Sequence, residues 1–416
     1  MNKQIRFFSV FLALTIAILA CSFFPLETDG TPPSSPDQVG TAIALTFQAL
    51  TPDADEGETT LEPSAQPSAS PDSLLPHTFY YLGTDSAGLT QVFRNERDGT
   101  TQRQLTSEPV NVNDYGVSPV DGSIAYVTNN QLLFANADGS GRRVLVDGGP
   151  VDENSPFLSV INSPVFSPDG QTLAYGYKGL NLYNISTGAS NLVIENQVED
   201  SSADFQFPKE LYWPERYSPD GSKLLITLGY YEGASAAIYD PPSNSLVRLT
   251  GAEGALICCD EMKWSADGSS VYSASSAMGM FSSGLWRVDA STGAVTTLFS
   301  SNFDSASFLY ANEPYLAPDG QLYFFFLETT SEFNMRAPLQ LVRSAPDGVT
   351  GRTPVLSNTF ELMNEALWSP DASFVVVASA LPDQEVYQGG QAQVVYLDGR
   401  PNVVLAPFAE QMKWGP

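Results

Sequence analysis

One turn-forming motif returns about every fifty residues along this chain, and it constrains the fold more than any other feature. It is an apolar or aromatic residue followed by Ser-Pro-Asp-Gly or a near copy. It runs from Val117 to Gly122, Phe166 to Gly170, Tyr217 to Gly221, Trp264 to Gly268, Leu316 to Gly320 and Trp368 to Ala372. A last fragment, Met412-Lys-Trp414, echoes Met262-Lys-Trp264 just before the chain ends. A fixed period of this size is the signature of a repeat architecture. Within each unit the motif supplies a turn, because Pro pre-sets φ, Asp bonds back to the local backbone and Gly accepts φ > 0.

Short β-branched and aromatic runs follow each turn, split by Gly, Asp and Asn. Examples are Ile124 to Val127, Gln131 to Phe134 and Val144 to Val146. With a short strand leading into the motif, each unit reads as a four-stranded antiparallel meander, which is one propeller blade. The segment before the first motif, from Thr78 to Leu105, holds three strands and lacks the leading one. The end of the chain, Gln411 to Trp414, is a leading strand without the other three. Together they predict one split blade that closes the ring without an open sheet edge. The expectation is an all-β, seven-bladed propeller closed by N- and C-terminal strands, with six blades as the runner-up.

The unit of apolar-Ser-Pro-Asp-Gly, strand, strand, Asp-Gly and strand resembles the WD40-like repeat of the TolB-like propeller family over roughly residues 77–416. It departs from that pattern at the inserted Val120, at Ala266 in place of Pro and at Ala372 in place of Gly. The resemblance implies the propeller and little about ligand. Nothing in the chain matches the separate α/β domain that TolB joins to its propeller.

The first 76 residues are of a different kind. Lys3 and Arg6 precede an apolar stretch from Phe7 to Leu19, and small residues follow, which describes a signal peptide over 1–20. The run Ile18-Leu-Ala-Cys21 resembles a bacterial lipobox, a likeness that implies lipidation of Cys21 as the mature N-terminus. Residues 21–76 then read as an acidic tether rich in Pro, Ser and Thr, with nine carboxylates and no Lys or Arg after Cys21. Export follows, with anchoring at the outer face of the cytoplasmic membrane or in the cell envelope. The membrane would be touched only through the lipid.

The net charge of −28 argues against nucleic acid and against adhesion to anionic lipid. The leader carries +2 and the tether −9 of it, which leaves −21 for 77–416. The only His is His77, so a Ser–His–Asp or Cys–His arrangement has no base and a His-rich zinc site cannot form. No Gly-x-Ser-x-Gly elbow and no Walker-type phosphate loop occurs. No cofactor is implied. Cys258 and Cys259 are adjacent, and in an oxidising compartment they predict either a vicinal disulfide or two reduced thiols.

The remaining candidates lie three and four residues before each motif aromatic. They are Asn113 and Asp114, Asp260 and Glu261, Asn312 and Glu313, Asn364 and Glu365, and Glu410 beside Gln411. On a propeller these fall in a ring at one mouth of the central channel. Three uses are open: capping the preceding loop in solvent, receiving a basic segment of a partner, or holding a hard cation such as Ca²⁺. Aromatic loops at Phe205 to Phe207, Leu211 to Trp213 and Phe308 to Tyr310 are placed on the same face, either as a contact surface or simply packing the loops down. The motif aromatics Phe166, Tyr217, Trp264, Trp368 and Trp414 are read as core. The functional expectation is a non-catalytic, monomeric propeller that binds a protein or polymer at the envelope. The alternative is a glycan-acting enzyme, or a solute- or sugar-binding propeller, using two channel-mouth carboxylates.

Overall fold

The computed structural model describes residues 73–199, 207–251, 253–259, 262–333 and 335–416. The leader, nearly all of the tether and Cys21 therefore lie outside the described residues, as do Asp260, Glu261 and Phe205. Apart from a helical turn at Pro156–Ser159, the described elements are all strands. No helix among them is long and apolar enough to cross a membrane.

The motif turns share their local bonds, except that the fifth, with Ala317 in place of Ser, lacks the hydroxyl bond. In the third unit the Gly221 N–H donates to Ser218 O at 2.8 Å, and the Ser218 hydroxyl donates to Asp220 Oδ1 at 2.6 Å. Asp220 Oδ1 also accepts the Ser222 N–H at 3.1 Å. The first, second, fourth and sixth units repeat the arrangement on Asp121, Asp169, Asp267 and Asp371. The motif carboxylates are thus used to build turns, as the composition of the motif predicts. The extra Val120 is absorbed on the outside of its turn, where it is exposed.

The strands pair in sequence order as antiparallel sheets. Taking the first unit as the pattern, Val112–Val117 is innermost, followed by Ile124–Thr128, Gln131–Ala135 and Arg143–Asp147. The second, third, fourth and fifth units begin with Asn162–Phe166, Pro208–Tyr217, Lys263–Trp264 and Phe308–Leu316, and the sixth with Met363–Trp368. The third sheet gains a short flanking strand, Gln197–Val198, paired with the start of Pro208–Tyr217. The sixth unit and the chain start share one seven-stranded sheet through the long strand Val403–Trp414. Its first half pairs with Gly390–Tyr396, and its second half pairs Trp414 with Phe79 and Lys413 with Tyr80. The pairing thus gives seven runs of four strands, one assembled from both ends of the described chain. The joint is reinforced by the Gly415 N–H donating to Thr78 O at 2.8 Å.

The core is divided in the same way. Each of the seven buried apolar clusters joins strands of two neighbouring units, including one that packs Tyr80 and Leu82 against Tyr115 and Tyr126. No unit buries its own face alone, which is why stacking is obligatory in such repeats. The motif aromatics Phe166, Tyr217, Trp264 and Trp368 are buried at these seams. The indole N–H groups of Trp264, Trp368 and Trp414 donate to Arg216 O, Glu313 O and Trp368 O, each in the preceding unit.

Candidate functional site: the channel and its two faces

The innermost strands do not run straight. Five of them break register against their neighbour three or four residues before the motif aromatic, at Val112/Asp114, Asn162/Val165, Pro214/Arg216, Asn312/Tyr315 and Met363/Glu365. Ser163, Glu313 and Gln411 stand in the left-handed region there, with φ of 50°, 48° and 52°. A bulge re-aims the side chain it carries, and at Asp114, Glu313 and Glu365 the carboxylate reaches the next unit.

The result is a chain of clasps. Asp114 accepts its own neighbour's N–H, from Tyr115 at 2.7 Å, and with the other oxygen the Ser163 N–H of the second unit at 2.7 Å. Glu313 Oε1 accepts the Ala366 N–H of the sixth unit at 3.3 Å. Glu365 Oε1 accepts the Met412 N–H of the closing strand. Gln411 joins the closing strand to the first unit by donating Nε2 to Asn113 O at 3.3 Å, while Tyr115 donates its hydroxyl to Gln411 O at 2.7 Å. Asp114, Glu313 and Glu365 are therefore drawn into inter-unit bonds, where the sequence left solvated loop caps open as a use.

The other candidates divide. Asn312 accepts the Glu313 N–H at 2.9 Å and so stabilises the bulge. Asn364 donates to Val386 O and Gly389 O at 3.0 and 2.7 Å, tying down the loop above it. Asn113 is exposed and Glu410 half-buried, its carboxyl pushed up by burial. Cys258 and Cys259 form a vicinal disulfide, with Cys258 buried and Cys259 exposed. Of the aromatic loops, Leu211, Tyr212 and Tyr310 are buried, so they hold the loops down and offer no contact surface. Phe207 packs edge-on against Tyr231 at 4.8 Å.

Two carboxylates share the channel interior. Glu313 is buried and its Oε2 lies 3.2 Å from Lys263 Nζ. Glu365 is enclosed so deeply that burial, with the nearby Glu313 charge adding to it, pushes its carboxyl up to about 7. The Met412 N–H and the charges of Lys413 and Lys263 act in the opposite direction and do not cancel that cost. No group of three or more His, Cys, Asp or Glu among the described residues is placed to hold a metal ion.

The two ends of the channel differ in chemistry. The motif turns and the turns between third and fourth strands form one face. The unit-to-unit connections and the turns between second and third strands form the other, the loop face. Large exposed apolar side chains gather on the loop face: Phe157, Tyr231, Met280, Phe303, Met335 and Tyr387. Exposed carboxylates stand among them, including Asp152, Glu232, Asp304, Glu332, Asp383 and Glu385. The described loops of this face carry two cations, Lys178 and Arg336, stacked on Tyr177 at 5.1 Å and Tyr387 at 4.7 Å. Sequence reasoning missed this crown. Its signal was present in the turns between second and third strands, which alternate Met or aromatic residues with acids, as in Glu332 to Met335.

Two ion pairs on buried glutamates were also missed. Glu108 receives a bidentate Arg142 at 2.7 and 3.0 Å plus the Tyr126 hydroxyl at 2.8 Å, and Glu210 receives Arg248 at 2.6 and 2.7 Å plus the Tyr212 hydroxyl. Their partners lie 34 and 38 residues apart, so no local pattern announces them.

No protein-family model matches this chain, and no curated protein does. Among solved structures it is similar to a puromycin-hydrolysing peptidase of Mycobacterium tuberculosis, at 14% identity over 80% of this chain and 52% of that one, with a TM-score of 0.53. It is similar to a prolyl endopeptidase at 13% identity over 83% and 50%, with a TM-score of 0.51. TolB of Acinetobacter baumannii matches at 16% identity over 82% and 67%, with a TM-score of 0.41. The chain spans about half the length of the two peptidases. The likeness is one of fold alone, and it does not select an activity.

Proposed function

We propose that this β-propeller is a non-catalytic docking protein, exported and anchored through Cys21, that binds a cationic protein or polymer partner on its loop face. The observation that carries the reading is the crown of exposed apolar side chains set among carboxylates, faced by two cations that are already stacked on tyrosines. Apolar anchors give a partner desolvated contact, and the acidic surround draws and orients a basic one. The ring residues beneath would hold the loops in place: Asn364 bonds the Leu381 to Gly389 loop directly. The described chain enters on the opposite face, where the Leu75 N–H donates to Arg97 O at 2.9 Å.

The test is a crosslinked pull-down from native membranes with the full chain, beside a variant with Asp304, Glu332, Asp383 and Glu385 neutralised and a second with Tyr231, Met280 and Met335 changed to Ser. A partner of basic charge, captured by the native protein in a salt-sensitive way and lost in both folded variants, is the expected result. Equal recovery by all three proteins would remove the loop face from consideration.

A second reading has one observation in its favour. Glu365, raised to about 7 with Glu313 nearby, has the form of one member of a carboxyl pair held in its acid form. On that reading the propeller acts on an extracellular glycan. Turnover on a glycan panel, abolished in Glu365→Gln, would support it over docking.

A further inference from the structure

On the motif side of the channel the innermost strands enclose a cavity of about 500 Å³. Its walls are aromatic, from Phe166, Tyr217, Trp264, Trp368 and Trp414, and its rim is stiffened by the prolines of the motif turns. No Asp or Glu lines it. Two cations do, Arg216 and Lys263, each one residue before its motif aromatic. Lys263 is spent on Glu313 at 3.2 Å. Arg216 is exposed, and its guanidinium has no hydrogen-bond or ion-pair partner among the described residues. Its backbone is fixed, because Arg216 O accepts the Trp264 indole N–H at 3.3 Å. The nearest motif carboxylate, Asp220, is occupied by Ser218 and Ser222 within its own turn.

We propose that this cavity binds a small monocarboxylate with an apolar or aromatic body, the carboxylate on Arg216 and the body against the tryptophans. The inference goes beyond the docking reading and stands on the cavity's own geometry, on the face opposite the loops. An unpaired guanidinium presents a planar fork that matches a carboxylate. The volume lies within the range of small-molecule sites, and such sites are largely apolar with few fixed polar groups. One unpaired positive charge compensates one negative charge. A dianion would carry a second, uncompensated charge into a chain of net −28.

The experiment is calorimetric titration of the full-length chain with phenylacetate, indole-3-acetate and N-acetyltryptophan, each beside its neutral amide. The expected result is that at least one acid binds about tenfold or more tighter than its amide, the loss typical of a charge-assisted bond. That gap closes in Arg216→Gln and survives in Arg400→Gln, since Arg400 pairs with Asp398 and stacks on Tyr396 away from the cavity. Arg216→Lys keeps the charge without the fork and falls between. Circular dichroism and the urea midpoint verify that each variant is folded, and position 216 is exposed enough to accept them. Acid and amide binding alike, a gap that persists in Arg216→Gln, or no binding of any acid up to about 10 mM would overturn the site. Inorganic phosphate binding more tightly than the acids would overturn the monocarboxylate assignment.

Discussion

Glu365→Gln isolates the charge that the closing strand has to tolerate. In the folded chain the Glu365 carboxyl is raised from 4.5 to about 7, chiefly by burial, and it accepts the Met412 N–H of the strand that seals the ring. The folded carboxyl therefore keeps its proton where the unfolded one has lost it. Its contribution is fully present below about pH 4.5 and is lost as pH rises through 7. Each pH decade in that window is worth about 1.36 kcal/mol. Integrated over the two proton equilibria, an ionised Glu365 costs the fold about 1 kcal/mol at pH 5 and about 3 kcal/mol at pH 8. Glutamine keeps the acceptor for Met412 and cannot ionise. Whatever the amide itself costs is the same at both pH values. The variant should thus gain about 2 kcal/mol relative to the native chain between pH 5 and pH 8. Urea unfolding of both proteins at the two pH values measures it, with midpoint and slope fitted separately. An identical difference at both pH values would refute the argument, because it would mean that Glu365 titrates alike in the folded and unfolded chains.

Three further outcomes are expected. Gly293→Ala should cost about 2 kcal/mol or more, since φ is +71° and a Cβ would meet Arg248 O at 2.1 Å; Gly320→Ala, at φ +79° with open space around it, should cost only about 1 kcal/mol, as thermal melts of the pair would show. Arg142→Ala should destabilise by about 1–2 kcal/mol at neutral pH, a figure reduced because Arg142 is half-exposed while Glu108 is buried. Arg142 holds the Glu108 carboxyl below its usual range, so this contribution is present above about pH 4.5 and is lost as pH falls through the folded value; unfolding of native and variant chains should converge in acid. Alkylation with mass readout should leave Cys258 and Cys259 unmodified until a reductant is added; labelling of both in its absence would show that they are free thiols.

The motif aromatics illustrate what could be read early. Phe166, Tyr217, Trp264 and Trp368 each precede a Ser-Pro-Asp-Gly turn or a near copy whose bonds span five residues or fewer, so the turn, the strand before it and the buried ring are all encoded locally. The closing of the ring was legible for a related reason: three strands at one end and one at the other are complementary remainders of a repeat. The aromatic loops left two uses open, because an aromatic beside a turn looks the same whether it faces solvent or, like Tyr310, is wholly buried.

The amino-acid sequence alone thus determined the repeat, its four-strand unit, its turn chemistry and the all-β class, since these rest on periodicity and on contacts between near neighbours. Tertiary structure alone decided where Asp114, Glu313 and Glu365 bond. Asp114 meets Ser163 at a separation of 49 residues, and Glu365 meets Met412 at 47. A carboxylate finds a backbone N–H across one whole unit only when the bulges turn it towards the next innermost strand and stacking brings that strand within reach. The same stacking gathers Phe157, Tyr231, Met280 and Phe303 onto one face and leaves Arg216 alone among aromatic walls on the other. Which charges are spent and which remain available is a property of the closed ring, because burial and partner distance do not exist until the units are packed.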